Sequence, residues 1–148
     1  MNKTMEGGCQ CGRVRYKAML RNKDAYLCHC RMCQRASGNI AIAFKNIPKA
    51  DVEWTTRAPD YYESSPIAQR GFCSACGTML SFDFPDGDNI DLTVGSFDDP
   101  SVFEPKHHFG AESIHKAWLD TSNLPRHRSD EYEPLVKRWM DKVGKLPE

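Results

Sequence analysis

Seven cysteines in three tight groups, Cys9/Cys11, Cys28/Cys30/Cys33 and Cys73/Cys76, constrain this chain more than any other feature. Their number is odd and only one or two residues separate neighbours within a group. A framework of paired disulfides is therefore a poor fit and thiolate coordination of metal a good one. A closed four-thiolate zinc site holds structure, whereas three thiolates leave one tetrahedral position for water or substrate. Cysteines that merely fill a reduced core do not cluster as C-x-C, C-x-C-x-x-C and C-x-x-C. The sequence predicts two zinc ions per chain, one structural and one reactive.

Local spacing supports this. In an extended segment residues two apart share a face, so Cys9 and Cys11 can grip one ion with Gln10 turned away, as can Cys28 and Cys30 around His29. Cys73-Ser-Ala-Cys76 followed by Gly77 reads as a metal-binding turn. Spacing alone leaves two partitions open. Cys9, Cys11, Cys73 and Cys76 can form the closed site and leave Cys28, Cys30 and Cys33 as the open one. Alternatively Cys30, Cys33, Cys73 and Cys76 make a ribbon-type site and strand the other three. Among functional readings a Cys30–Cys33 disulfide switch ranks third, behind a catalytic zinc site and a zinc scaffold, because no helix-embedded thioredoxin pattern is expected around them.

At 148 residues and 40% hydrophobic content the chain is expected to form one domain, 1–148, with its own core. Short alternating segments dominate. Val14, Tyr16 and Ala18 alternate with charged neighbours, and Ala25–Cys28, Ile40–Phe44, Val52–Thr55, Gln69–Cys73, Met79–Phe84 and Ile90–Val94 read as further strands. Asp86-Gly87 signals a turn between the last two. One helix is expected near the C-terminus, where Tyr132, Leu135, Val136, Trp139, Met140 and Val143 share a face, Asp130 and Glu133 resemble a capping pair and Gly144 a stop. The fold class is mainly β with a C-terminal helix.

Lys plus Arg and Asp plus Glu both number 20, so a formal net charge of zero gives no bulk attraction to nucleic acid or an acidic membrane. The longest apolar run, Ile40 to Phe44, is far short of a membrane span. With no apolar leader after Met1 and with clustered thiols, we expect the reducing cytoplasm.

Gly7-Gly-Cys-Gln-Cys-Gly-Arg-Val-Arg-Tyr16, Cys28-His-Cys-Arg-Met-Cys-Gln-Arg-Ala-Ser-Gly38 and Gly71-Phe-Cys-Ser-Ala-Cys-Gly-Thr78 resemble the three signature segments of the glutathione-dependent formaldehyde-activating enzyme family, in order and in separation. Pro105, His108, Glu112, Trp118 and Leu124-Pro125 resemble its looser C-terminal pattern. The resemblance implies a β-tent fold of antiparallel sheets stapled by zinc. It assigns a structural zinc to Cys9, Cys11, Cys73 and Cys76 and a catalytic site to Cys28, Cys30 and Cys33, deciding the partition. It also implies the family reaction, in which glutathione and formaldehyde join reversibly into S-hydroxymethylglutathione.

The charge of the open site agrees with that chemistry. Zinc with three thiolates carries a formal charge of minus one and is a weaker Lewis acid than a three-histidine site, so an incoming thiol held as thiolate is a better use than hydroxide attack. Arg31 and Arg35, in and after the reactive loop, are candidates to receive the glutathione carboxylates. Ser37 and Gly38 are candidates to face the bound group. Of the five histidines, His29, His107, His108, His115 and His127, His108 matches the family's recurrent histidine and is the candidate proton shuttle, while His29 reads as a packed or supporting residue. Trp54 and Trp139 read as packing residues and Trp118 as a candidate pocket wall. Against the lyase reading stands a non-catalytic zinc scaffold of the same fold that binds a protein or metabolite, its three-cysteine site either empty or structural; a protein side chain in the fourth position would favour it.

Overall fold

The computed structural model describes residues 1–148, which divide into two compact units, Met1–Ile114 and His115–Glu148. The first is built from ten strands and one short helix. In β2 (Arg15–Leu20) the alternation of Tyr16, Ala18 and Leu20 with charged residues buries one face. It pairs antiparallel with β1 (Lys3–Gly8) on one side and β5 (Val52–Trp54) on the other, making a three-stranded sheet.

The second sheet has seven strands: β3 (Asp24–Cys28), β4 (Ile42–Pro48), β6 (Asp60–Ser65), β7 (Ala68–Phe72), β8 (Met79–Asp83), β9 (Asn89–Thr93) and β10 (Glu104–Phe109). Their spatial order is β10-β3-β4-β9-β8-β7-β6. The expected Asp86-Gly87 turn forms between β8 and β9, with the Gly87 amide donating to the Phe84 carbonyl at 2.9 Å. The architecture is mainly β and its sheets antiparallel, with one departure: β10 pairs parallel to β3.

Each face of the larger sheet buries a different cluster. Met5, Val14, Tyr16, Ala18 and Leu20 of the small sheet meet Ile47, Leu80, Ile90 and Leu92 of the large one, and Cys9 and Cys73 lie in this same cluster. Ile42 and Phe44, of opposite parity to Ile47 on β4, gather instead with Cys28 and Cys33, against Tyr26, Cys30, Met79 and Phe82. The sheet thus places the four-cysteine group with one core and the three-cysteine group with another.

The second unit carries short helical turns at Lys116–Trp118 and Ser129–Glu131 and the helix α2 (Glu133–Lys142); the chain's other helix, α1 (Arg31–Ser37), belongs to the first unit. Gly144 ends α2 as expected, its amide donating to the Trp139 and Met140 carbonyls. The expected capping pair does not form: Tyr132 occupies the cap position without a side-chain bond, because Arg128 holds the Asp130 carboxylate at 2.9 and 2.5 Å. No helix is long and apolar enough to cross a membrane.

Candidate metal centres and reactive site

Two turns build the four-cysteine group. Cys9 and Cys11 lie on a tight turn after β1, closed by the Gly12 amide on the Cys9 carbonyl at 3.1 Å, and not on the extended segment expected from their spacing. The extension fails because the chain must reverse at once into β2, and the amide of Val14, just before that strand, donates to the Cys9 sulfur at 3.2 Å. Cys73 and Cys76 lie on the β7–β8 turn, where the Gly77 amide meets the Cys73 carbonyl at 2.7 Å. A bond from the Gln10 amide to the Thr78 hydroxyl at 3.0 Å ties the turns together.

All four sulfurs lie within 4.8 Å of one another, with Cys9–Cys11 at 3.6 Å and Cys11–Cys73 at 3.8 Å. Zn–S bonds of ~2.3 Å in a tetrahedron place sulfurs ~3.8 Å apart, which these two spacings match. Hydrogen bonds from the Thr78 hydroxyl and amide hold the Cys76 thiol down to about 5, favouring the thiolate that metal requires.

The three-cysteine group is also mutually within 4.8 Å. Cys28 ends β3, Cys30 caps α1 by accepting the Cys33 amide at 3.3 Å, and Cys33 sits in the first turn of that helix. This helix overturns the expectation that no helix embeds Cys30 and Cys33, yet all seven cysteines are unpaired with one another as disulfides. The contact with Cys33 holds the Cys28 thiol below the ordinary value while the same contact pushes Cys33 above it. Crowded thiols do not all ionise unless a cation joins them, which is what a metal supplies.

Surrounding bonds fix the loop. Gln34 is buried and donates to the His29 carbonyl at 2.7 Å and the Ser113 carbonyl at 3.2 Å, while Arg31 donates to its amide oxygen at 2.5 Å. Ser37 donates to the Cys33 carbonyl at 2.8 Å and Gly38 ends the helix, so both complete the helix end. Gly110 has φ +66°, and a side chain there would bring Cβ to 2.7 Å from the Cys30 nitrogen; only glycine lets β10 close against this loop.

His29 is buried, and its ring bonds that of His108 at 2.8 Å. The β3–β10 register pairs Phe109 with Cys28 and His108 with Leu27, so His108 lies on the other face of the strand pair from Cys28 and reaches this loop through His29. His107 stacks on Tyr26 with ring centres 5.1 Å apart. Trp54 packs edge-on against Tyr16, and Trp118 is 62% exposed in the second unit.

Arg70, on β7, escapes sequence reasoning altogether. It is 5% exposed, directs two guanidinium nitrogens to the Cys33 sulfur at 3.5 Å each and lies 4.8 Å over the Phe82 ring. An arginine inside a predicted strand, three residues before a metal-binding turn, is the only signal that could have raised it. Arg70 and the three cysteines border a cavity of about 240 Å³ walled by aromatic rings. Arg35 borders an adjoining cavity of about 470 Å³ that shares Met32 and Arg70 with the first. A larger space of about 730 Å³ beside Cys9 and Ser37 touches none of the three cysteines.

Comparison with known proteins agrees with this arrangement. An uncharacterized lyase of Schizosaccharomyces pombe (strain 972) is 33% identical over 84 residues, which cover 57% of this chain and 61% of that protein. A crystal structure of a Rhodobacter sphaeroides protein superposes with a TM-score of 0.53 at 19% identity, covering 70% of this chain and 99% of the other, and so shares its fold. Residues 4–113, which hold all seven cysteines, match the model of the glutathione-dependent formaldehyde-activating enzymes, and the chain belongs to that family.

Proposed function

We propose that this protein is a zinc-dependent carbon–sulfur lyase and synthase that joins a thiol, with glutathione the leading candidate, to formaldehyde or another small carbonyl and reverses the addition. The observation that carries the reading is the three-cysteine group: its sulfurs lie within 4.8 Å of one another and front a cavity, and a buried guanidinium faces one of them. A zinc ion held by Cys28, Cys30 and Cys33 would supply one remaining position at which a thiol binds as its thiolate.

The chain's own residues do the rest. Arg70 offsets the negative charge that three thiolates accumulate and orients the Cys33 sulfur. The aromatic walls keep water from competing for the carbonyl carbon. Addition forms one bond between sulfur and carbonyl carbon and moves the thiol proton to the carbonyl oxygen, so atoms balance without an oxidant or third reactant. His108, exposed on the other face of the strand pair and bonded to the buried His29 beside the reactive loop, is our candidate to pass that proton to solvent through His29. Arg35, in the adjoining cavity, is the better placed of the two loop arginines to receive a glutathione carboxylate, since Arg31 is engaged with Gln34. A reducing compartment such as the cytoplasm suits seven free thiols.

Exchange spectroscopy of the glutathione–formaldehyde equilibrium tests this. Zinc-loaded wild type is expected to accelerate exchange above the spontaneous background and Cys30→Ser, at equal folded concentration, to return to it. Indistinguishable rates for the two proteins, with glutathione and with several other thiols, would replace this reading by a zinc scaffold.

A further inference from the structure

We propose that the cavity over Cys28, Cys30 and Cys33 is built for a carbonyl compound bearing an apolar, preferably aromatic, substituent. The inference rests on the thiol-addition reading above and names its substrate class. Formaldehyde has two heavy atoms, and a cavity of about 150 Å³ already suffices for benzene. The space here is about 240 Å³, room for an aromatic ring and a short linker to the carbonyl.

Its lining points the same way. Five rings form a continuous wall: Phe109 to Tyr26 at 6.4 Å, Tyr26 to Phe44 at 5.8 Å, Phe44 to Phe82 at 6.4 Å and Phe82 to Phe84 at 5.4 Å between centres. The Phe82–Phe84 and Tyr26–Phe109 pairs are edge-to-face; His107 covers one face of Tyr26 and Arg70 one face of Phe82, and the half-exposed Phe84 and Phe109 offer ring faces for a further ring. The polar side chains of the lining are the thiols, Arg70, Ser65 and Tyr26, whose hydroxyl is bonded to Asp91. Water filling such a space around formaldehyde would find few partners, so the walls favour an apolar occupant. At the mouth, Met32, Ile67, Phe84 and Phe109 are 48%, 68%, 45% and 64% exposed. Single exposed apolar residues are ordinary, but four around one opening form a patch of the kind that marks a ligand entrance.

Zinc-loaded wild type should be assayed with glutathione and, in turn, formaldehyde, acetaldehyde and phenylacetaldehyde, each spontaneous rate subtracted. One methylene in an apolar pocket is worth roughly tenfold or more, so acceleration of phenylacetaldehyde addition should exceed that of formaldehyde at least about tenfold. Ile67→Asp, at the exposed rim, should cut this ratio to roughly threefold or less by placing a charge beside the ring. Benzyl alcohol, which cannot react, should show nuclear Overhauser contacts from its ring to the Met32 methyl in wild type. Preference for formaldehyde, or absence of those contacts, overturns the inference and leaves the lyase reading standing. Contacts with benzyl alcohol but no acceleration of any aldehyde support the cavity's preference and sink the lyase reading.

Discussion

Replacing Arg70 by Met should separate two quantities that usually move together. Met keeps much of the length and apolar stem but removes the guanidinium whose two nitrogens approach the Cys33 sulfur at 3.5 Å. Loss of a partner that orients a metal ligand typically costs 10–100-fold in metal affinity, about 1.4–2.7 kcal/mol. Without an ion at the second site, the same cation sits 5% exposed against the Cys33 sulfur, whose thiol is pushed above its ordinary value while that of Cys28 is held below it, so its charge is only partly compensated. Its contact with the Phe82 ring, worth about 1–2 kcal/mol when desolvated, then offsets part of the burial cost. Removing an under-compensated buried charge is near neutral or stabilising. Arg70→Met loaded only at the four-cysteine group should therefore melt within a few degrees of wild type, while its second site binds zinc about 10–100-fold more weakly. Competition with a chromophoric chelator measures the affinity and calorimetry the melting. Arg70→Lys, with one point charge in place of the fork, should recover only part of the affinity. An affinity within twofold of wild type, or equal weakening of both sites, would refute the reasoning.

Cys73→Ser should lose structural zinc and soluble protein together, since Cys73 is fully buried and metal binding at a closed site is folding free energy; unchanged zinc content and melting temperature would exclude that role. Gly110→Ala should lower the melting temperature through about 1–2 kcal/mol of left-handed strain and release the second zinc at lower chelator concentration than wild type, because its Cβ meets the Cys30 nitrogen. Stability should fall above pH ~10: burial raises the Tyr16 hydroxyl, so the unfolded chain loses that proton first and the folded state is disfavoured by up to about 1.4 kcal/mol per pH unit. Tyr16→Phe should lose stability at pH 7 through loss of the buried bond to the Ser96 hydroxyl, which keeps its own bond to the Thr93 carbonyl, yet show a shallower alkaline slope, read from melting curves between pH 8 and 11; parallel slopes would argue against burial as the cause.

The cysteine groups were legible because the ligands within each group, two pairs and one triplet, stand only one or two residues apart. Which groups share an ion depends on segments about sixty residues apart; spacing leaves this open and the family resemblance decides it. Strands such as β2 and β9 were legible because burial on one face forces alternation. β6, Asp-Tyr-Tyr-Glu-Ser-Ser, and β10, Glu-Pro-Lys-His-His-Phe, carry no such pattern: they are the two edges of the large sheet and much of each is exposed. The parallel pairing of β10 with β3 joins segments about eighty residues apart, beyond any local signal. α1 is only seven residues long, too short for periodicity, and is set by the Cys30 cap and the Gln34 bonds. Arg70 reads as one more polar residue in an alternating strand; its meaning comes from a helix 37 residues earlier folding onto it. Neither α1's cap nor the aromatic wall is visible until the sheet is assembled.

The central claim is that Cys28, Cys30 and Cys33 hold a second zinc with one position open to an external thiol. X-ray absorption at the zinc edge measures this directly. With two zinc ions bound, the mean sulfur count should be about 3.5 per ion, from one four-sulfur and one three-sulfur site, and should rise to about 4 when glutathione is added. A mean that glutathione leaves unchanged, or a full four sulfurs before it is added, would contradict the claim.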